Sequence, residues 1–225
     1  MVWVLFVASS AVVVLAAIKL AEYSDVIAVR TGLGGMFVGT IFLAGATSLP
    51  ELTASISAFR TGAVNLAAGN FFGSNMTNIA LLAIVDMTHR QTPLLRRVAI
   101  SHSLTAGLAT ILMLVAVIAM FADIDLAVGW VGVDSLLLIA LYFAGIWVVQ
   151  RENQATAGPP PVKMEPAEDF PSLRKGVIGF IIAGVVLVAA VPQLVSSSVG
   201  IAEVTGLGTG FVGTALLSFV TSLPE

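Results

Sequence analysis

Runs of apolar residues, each long enough to cross a bilayer, recur along almost the whole chain and set the reading of its elements. They lie near residues 2–20, 34–59, 64–87, 98–121, 126–149 and 176–200. A helix that crosses a hydrocarbon layer of roughly 30 Å needs about 20 such residues, so each run predicts a transmembrane helix. A seventh run starts near Leu207 and is expected to be cut short at Glu225. The first run lacks the basic leader and small-residue cleavage site of a secretory signal and reads as a retained helix.

Composition agrees with a bilayer setting. Of 225 residues, 58% are hydrophobic and 10% charged, against about 25% charged in soluble domains. There is no cysteine, which excludes disulfides and thiolate metal sites. Arg151 to Ser172 is rich in proline and acid and cannot bury a core, so it predicts a flexible linker. The chain therefore divides into 1–150, with five helices, a cytoplasmic linker at 151–173, and 174–225, which holds helix six and part of helix seven. Placing the N-terminus outside puts Lys19, Arg30, Arg90, Arg96, Arg97, Arg151, Lys163, Arg174 and Lys175 in or beside cytoplasmic loops and leaves Arg60 outside. That is the expected orientation in a cell membrane.

An internal repeat carries the most information. TGLGGMFVGT at Thr31 to Thr40, followed by TSLPE at Thr47 to Glu51, matches TGLGTGFVGT at Thr205 to Thr214, followed by TSLPE at Thr221 to Glu225. The copies fall on spans two and seven, an odd number of crossings apart, so the second is expected to run opposite to the first. The fold class is thus an all-α membrane protein built as an inverted-topology repeat of five-helix units, the second truncated in this chain.

Glu51 lies in the middle of an apolar stretch. A carboxylate at that depth costs about 2.5–3.5 kcal/mol, which a cation or a proton would relieve. Pro50 has no N–H, so the carbonyl of Ala46 is expected to lose its helical partner and the turn to open into a cavity. Thr47 lies four residues before Glu51 and shares its face. The third span carries GNFFGSNMTN from Gly69 to Asn78, where Ser74 and Asn78 are four apart and Gly69 and Gly73 permit close helix approach. Asn70 and Asn75 read equally well as glue between helices.

Taken together, TSLPE and GNFFGSNMTN resemble the first alpha-repeat of the calcium/cation antiporter superfamily, nearest to prokaryotic sodium/calcium exchangers. The resemblance implies ten helices in two inverted halves, with ions held between them and moved by alternating access. It implies a first half-site of Glu51, Thr47, Ser48, Ser74, Asn78 and the carbonyl of Ala44. A second half-site would hold Glu225, Thr221, Ser222 and the carbonyl of Ser218. Two departures stand out: Ala46 and Val220 occupy positions where the family usually has glycine before TSLPE, and the partner of the Gly-Ser-Asn helix is missing.

The expected function is exchange of Ca2+ for Na+, both cargo, with no cofactor and with the lipid bilayer as surroundings. Alternatives are Ca2+/H+ exchange, a cation channel, and an inactive fragment that needs the missing helices or a second copy. No catalytic triad, nucleotide motif or nucleic-acid patch is visible, so an enzyme is not expected. Weaker candidates are Asp134 in the fifth span, His89 and His102 beside a cytoplasmic turn, and Asp123 and Asp125 in an outer loop. Thr31-Gly-Leu-Gly lacks the strand and lysine of a phosphate loop.

Overall fold

The computed structural model describes residues 1–31, 36–88, 94–122, 126–156 and 170–224, with backbone alone at 36–41, 94–102, 150 and 152–156. His89, Asp123, Asp125, Glu225, the Gly32–Gly34 stretch and most of the expected linker lie outside the described residues. The fold is all-α. The helices are α1 (Val2–Thr31), α2 (Met36–Thr47), α3 (Leu49–Arg60), α4 (Val64–Thr88), α5 (Leu94–Ala122), α6 (Val133–Thr156), α7 (Leu173–Thr205), α8 (Thr209–Val212) and α9 (Ser218–Ser222). A π-helical stretch, Gly213–Leu217, joins α8 to α9.

Two compact units divide the chain. One comprises 1–81 and 164–225 and contains both copies of the repeated segment; the other comprises 82–163. In the first, α1 and α7 pack along their length. Phe6, Ser9, Val13, Ala16, Ala17, Leu20 and Ser24 recur every three or four residues and form the buried face of α1. Opposite them Leu187, Val191, Leu194, Ser198 and Ile201 form that of α7. Gly176 meets Val26, Gly179 the Tyr23 ring, Gly184 meets Leu20 and Gly200 meets Val2, so the two helices are antiparallel.

The remaining faces of this pair are apolar and exposed: Val4, Val7, Val12 and Leu15 on α1, with Ile181, Ile182, Val185 and Val188 on α7. The buried positions instead include Glu51, Asn70, Ser74, Ser198, Ser218, Thr221 and Ser222. An apolar exterior over a partly polar interior suits a lipid solvent, and in water such patches would drive association. Among the described residues α1, Ser103–Ala122 of α5, and α7 are long and apolar enough to span a membrane. This is a membrane protein.

Several boundaries differ from the sequence reading. The run at 34–59 is two helices of 12 residues each, interrupted at Ser48 (φ −85°, ψ 3°). Pro50 sits in the first turn of α3, where a missing N–H costs little, so it starts a helix and does not strain one. Helix α1 extends beyond its apolar part to Thr31, with Lys19 and Glu22 paired at 2.6 Å on its surface.

In the second unit the expected fifth span, 126–149, begins late. Ala127–Val128 and Val131–Gly132 form a short antiparallel hairpin around Gly129 (φ +69°), and α6 starts at Val133 and runs to Thr156, into the expected linker. Asp134 therefore lies in the first turn of α6, where the helix dipole favours a carboxylate. Trp130 is exposed on the hairpin, and Trp147 stacks with Arg151 at 5.3 Å near the other end. Val133 to Trp147 covers about 21 Å of helix, with Trp130 just before its start, an arrangement that suits aromatic residues at two membrane interfaces.

Candidate functional site

The site is built around α4. After α3 the chain turns back at 61–63, so α3 and α4 are antiparallel and Asn70 faces α3. Asn70 is fully buried; its Nδ2 donates to the carbonyl oxygen of Glu51 (3.2 Å) and to Ser55 Oγ (3.1 Å). On its other side, Asn70 Oδ1 accepts from Thr221 Oγ1 at 3.3 Å. One amide therefore links α3, α4 and α9. Sequence reasoning left Asn70 undecided, although it stands four residues before Ser74 and eight before Asn78 and so extends their helical stripe.

Contact between α4 and the second copy depends on missing side chains. A Cβ on Gly73 would stand 2.6 Å from Ser218 Oγ and 2.7 Å from Thr214 Cα, and one on Gly213 would stand 2.5 Å from the carbonyl oxygen of Leu66. Leu66 is thus beside Gly213, Gly69 beside Thr214, and Gly73 and Thr77 beside Ser218. The numbers rise together, so this segment runs parallel to α4 and opposite to α3. Gly73→Ala is expected to destabilise the fold by about 1–3 kcal/mol through overpacking. Gly45→Ala, with nothing within 4 Å of the added carbon, should not. Thermal unfolding in detergent checks the pair; equal midpoints for both variants would contradict the close packing.

The two TSLPE copies meet at Glu51. Glu51 is 9% exposed, and its Oε1 accepts from Ser222 Oγ at 3.2 Å. Thr221 and Ser218 are also fully buried, and Thr221 Oγ1 approaches the Ser218 carbonyl at 3.2 Å. The first copy repeats that local geometry, with Thr47 Oγ1 donating to the Ala44 carbonyl at 3.1 Å. Ser218 Oγ donates to the Thr214 carbonyl within the π-helical turn. Such single π turns are often found at functional sites.

The structure thus brings Glu51, Ser218, Thr221 and Ser222 together with Asn70. Ser74 is buried beside them and donates to the carbonyl of Asn70 at 2.7 Å. Asn78 is half-buried one turn further along α4. Ala44 and Ser48 are exposed at the break between α2 and α3, and the Ala44 carbonyl accepts from Ser48 N (3.0 Å) as well as from Thr47. Ala46 is buried, and the interruption at Ser48 falls between it and Pro50, the proline whose missing N–H leaves the Ala46 carbonyl without its usual helical donor. Asn75 donates to the carbonyl of Phe71 on its own helix at 3.1 Å.

Among the described residues no three His, Asp or Glu side chains cluster. What converges is a carboxylate with hydroxyls, an amide and carbonyls, an all-oxygen set. Such a set suits a hard cation such as calcium or sodium and offers nothing to soft or redox metals.

A family model described as sodium/calcium exchanger protein matches residues 1–150. The chain belongs to this family. Within the matched part of the chain lie Glu51, Asn70, Ser74 and Asn78. The sodium/calcium exchanger MaX1 of Methanosarcina acetivorans is 42% identical over 76 residues, covering 34% of this chain and 22% of that protein. A protein named "Putative antiporter CaxA" from Alkalimonas amylolytica is 28% identical over 211 residues, covering 88% of this chain and 61% of its own length. The chain therefore spans less than two-thirds of either relative. No solved structure matches it.

Proposed function

We propose that the chain is a secondary cation antiporter that exchanges Ca2+ for Na+ by alternating access, and that Glu51 carries the ions. The observation behind this reading is the buried Glu51 carboxylate meeting Ser222, a residue of the second copy of its own motif. Ala44, Thr47, Ser48, Ser74, Asn78, Ser218, Thr221, Ser222 and Glu225 would supply the other oxygens. Calcium takes six to eight oxygens, and the convergence of two motifs can furnish that number. The Ala44 carbonyl would have to release a hydrogen bond to take part. Sodium and calcium would compete for the same carboxylates, so that binding either excludes the other, and the protein needs no cofactor.

The opposed course of α3 and the second copy supports the inverted repeat, with 1–150 as one five-helix unit and the chain after the 151–173 linker beginning a second. The charge distribution supports a multi-pass cell-membrane protein with its N-terminus outside. Proton coupling is the second reading, because a buried carboxylate relieves its desolvation cost with a proton as well as with a cation.

Equilibrium binding of radioactive calcium to the purified chain tests the proposal. Bound calcium is expected to fall as sodium rises at constant pH and ionic strength. Displacement by acid alone, with sodium inert, would instead favour Ca2+/H+ exchange.

A further inference from the structure

Away from the site, α7 begins beside the Tyr23 ring of α1, and the two helices frame a groove of about 390 Å³. Arg174 and Lys175 stand at its outer end, while Ile178 and Ile182 follow at one-turn intervals along α7. Both isoleucines are exposed, at 46% and 58%. Gly179 forms the floor, and its missing side chain is what lets the tyrosine ring lie against α7. Neither Arg174 nor Lys175 forms an ion pair among the described residues. Glu22, the acid next to Tyr23, is held by Lys19, and neither Glu22 nor Asp25 lines the groove. Ser172 Oγ already accepts from Lys175 N, so an incoming anion would be held by side-chain cations and not by the helix end.

Helix α7 has 33 residues and is about 50 Å long, more than the roughly 30 Å of hydrocarbon. Its first turn thus reaches headgroup level while Ile178 and Ile182 lie toward the acyl chains. We infer that this groove binds an anionic phospholipid, with the phosphate on Arg174 and Lys175, the Tyr23 hydroxyl nearby, and an acyl chain along Ile178 and Ile182. The order of polarity along the groove, cationic and then apolar, matches a lipid from head to tail. A free phosphate would have no use for the apolar half. Two juxtamembrane cations correspond to about a 30-fold preference for an anionic over a zwitterionic headgroup.

Native mass spectrometry of the chain, purified in detergent with equal phosphatidylglycerol and phosphatidylcholine, tests this. The expected result is selective retention of phosphatidylglycerol, reduced about 30-fold in Arg174→Gln/Lys175→Gln. It should be unchanged in Arg60→Gln/Arg151→Gln, which removes the same charge elsewhere, and unaffected by millimolar inorganic phosphate. Equal retention of both lipids, equal loss in the two double variants, or displacement by phosphate would each overturn the inference.

Discussion

Glu51→Gln is expected to abolish calcium-dependent stabilisation while leaving the ion-free protein at least as stable as the wild type. Glutamine has the same shape, and its Oε1 can still accept from Ser222 Oγ, the contact made by the carboxylate at 3.2 Å. What disappears is the charge. A carboxylate at membrane depth costs about 2.5–3.5 kcal/mol, which a bound cation offsets. Losing an attraction of that size weakens binding by about 100-fold. Calcium at about 100 times its dissociation constant stabilises the wild type by about 2.7 kcal/mol, and the variant should show almost none of this. Thermal unfolding with and without calcium reads both quantities. A variant that keeps the calcium-dependent shift would remove Glu51 from the proposed site.

Asn70→Leu is expected to lower the unfolding midpoint and to abolish transport together. The side chain is fully buried, and leucine cannot replace its donors to Glu51 and Ser55 or its acceptor for Thr221. Each buried polar group left without a partner costs about 1–3 kcal/mol. For a chain of this size each kcal/mol corresponds to about 2–4 °C. Because Asn70 ties the backbone at Glu51 to Thr221, its loss would also let the two copies drift apart. Asn75→Leu should leave stability and transport intact, since among the described residues Asn75 bonds along its own helix, to the Phe71 carbonyl. Equal effects of the two substitutions on unfolding and calcium uptake would show that Asn70 has no special role.

Much of this arrangement was legible in the sequence, for physical reasons that also explain where it was not. The membrane setting follows from apolar runs because a bilayer demands about 20 such residues in a row. That demand does not fix helix ends: α1 passes Leu20 and α6 starts at Val133 because caps, turns and interfacial residues decide boundaries. The meeting of Glu51 with Ser222 could be anticipated from the repeat. The π turn at Gly213–Leu217, which lies against the glycines of α4, could not, since no pattern of apolar and polar residues marks it. The break at Ser48, between Ala46 and Pro50, was legible from the proline, but the residue at which α3 restarts was not, since proline both kinks a helix from within and starts one from its first turn. Asn70 was undecided because an asparagine in a membrane helix can line a cavity or join helices, and its three partners come from segments far apart in sequence.

The central claim is tested most directly by radioactive calcium uptake into sodium-loaded proteoliposomes containing this chain or its Glu51→Gln variant, diluted into sodium-free buffer. The account predicts uptake that the outward sodium gradient drives, that collapses when the gradient is removed, and that the variant lacks. Uptake independent of the gradient, undiminished by the substitution, or absent from the wild-type chain would contradict it.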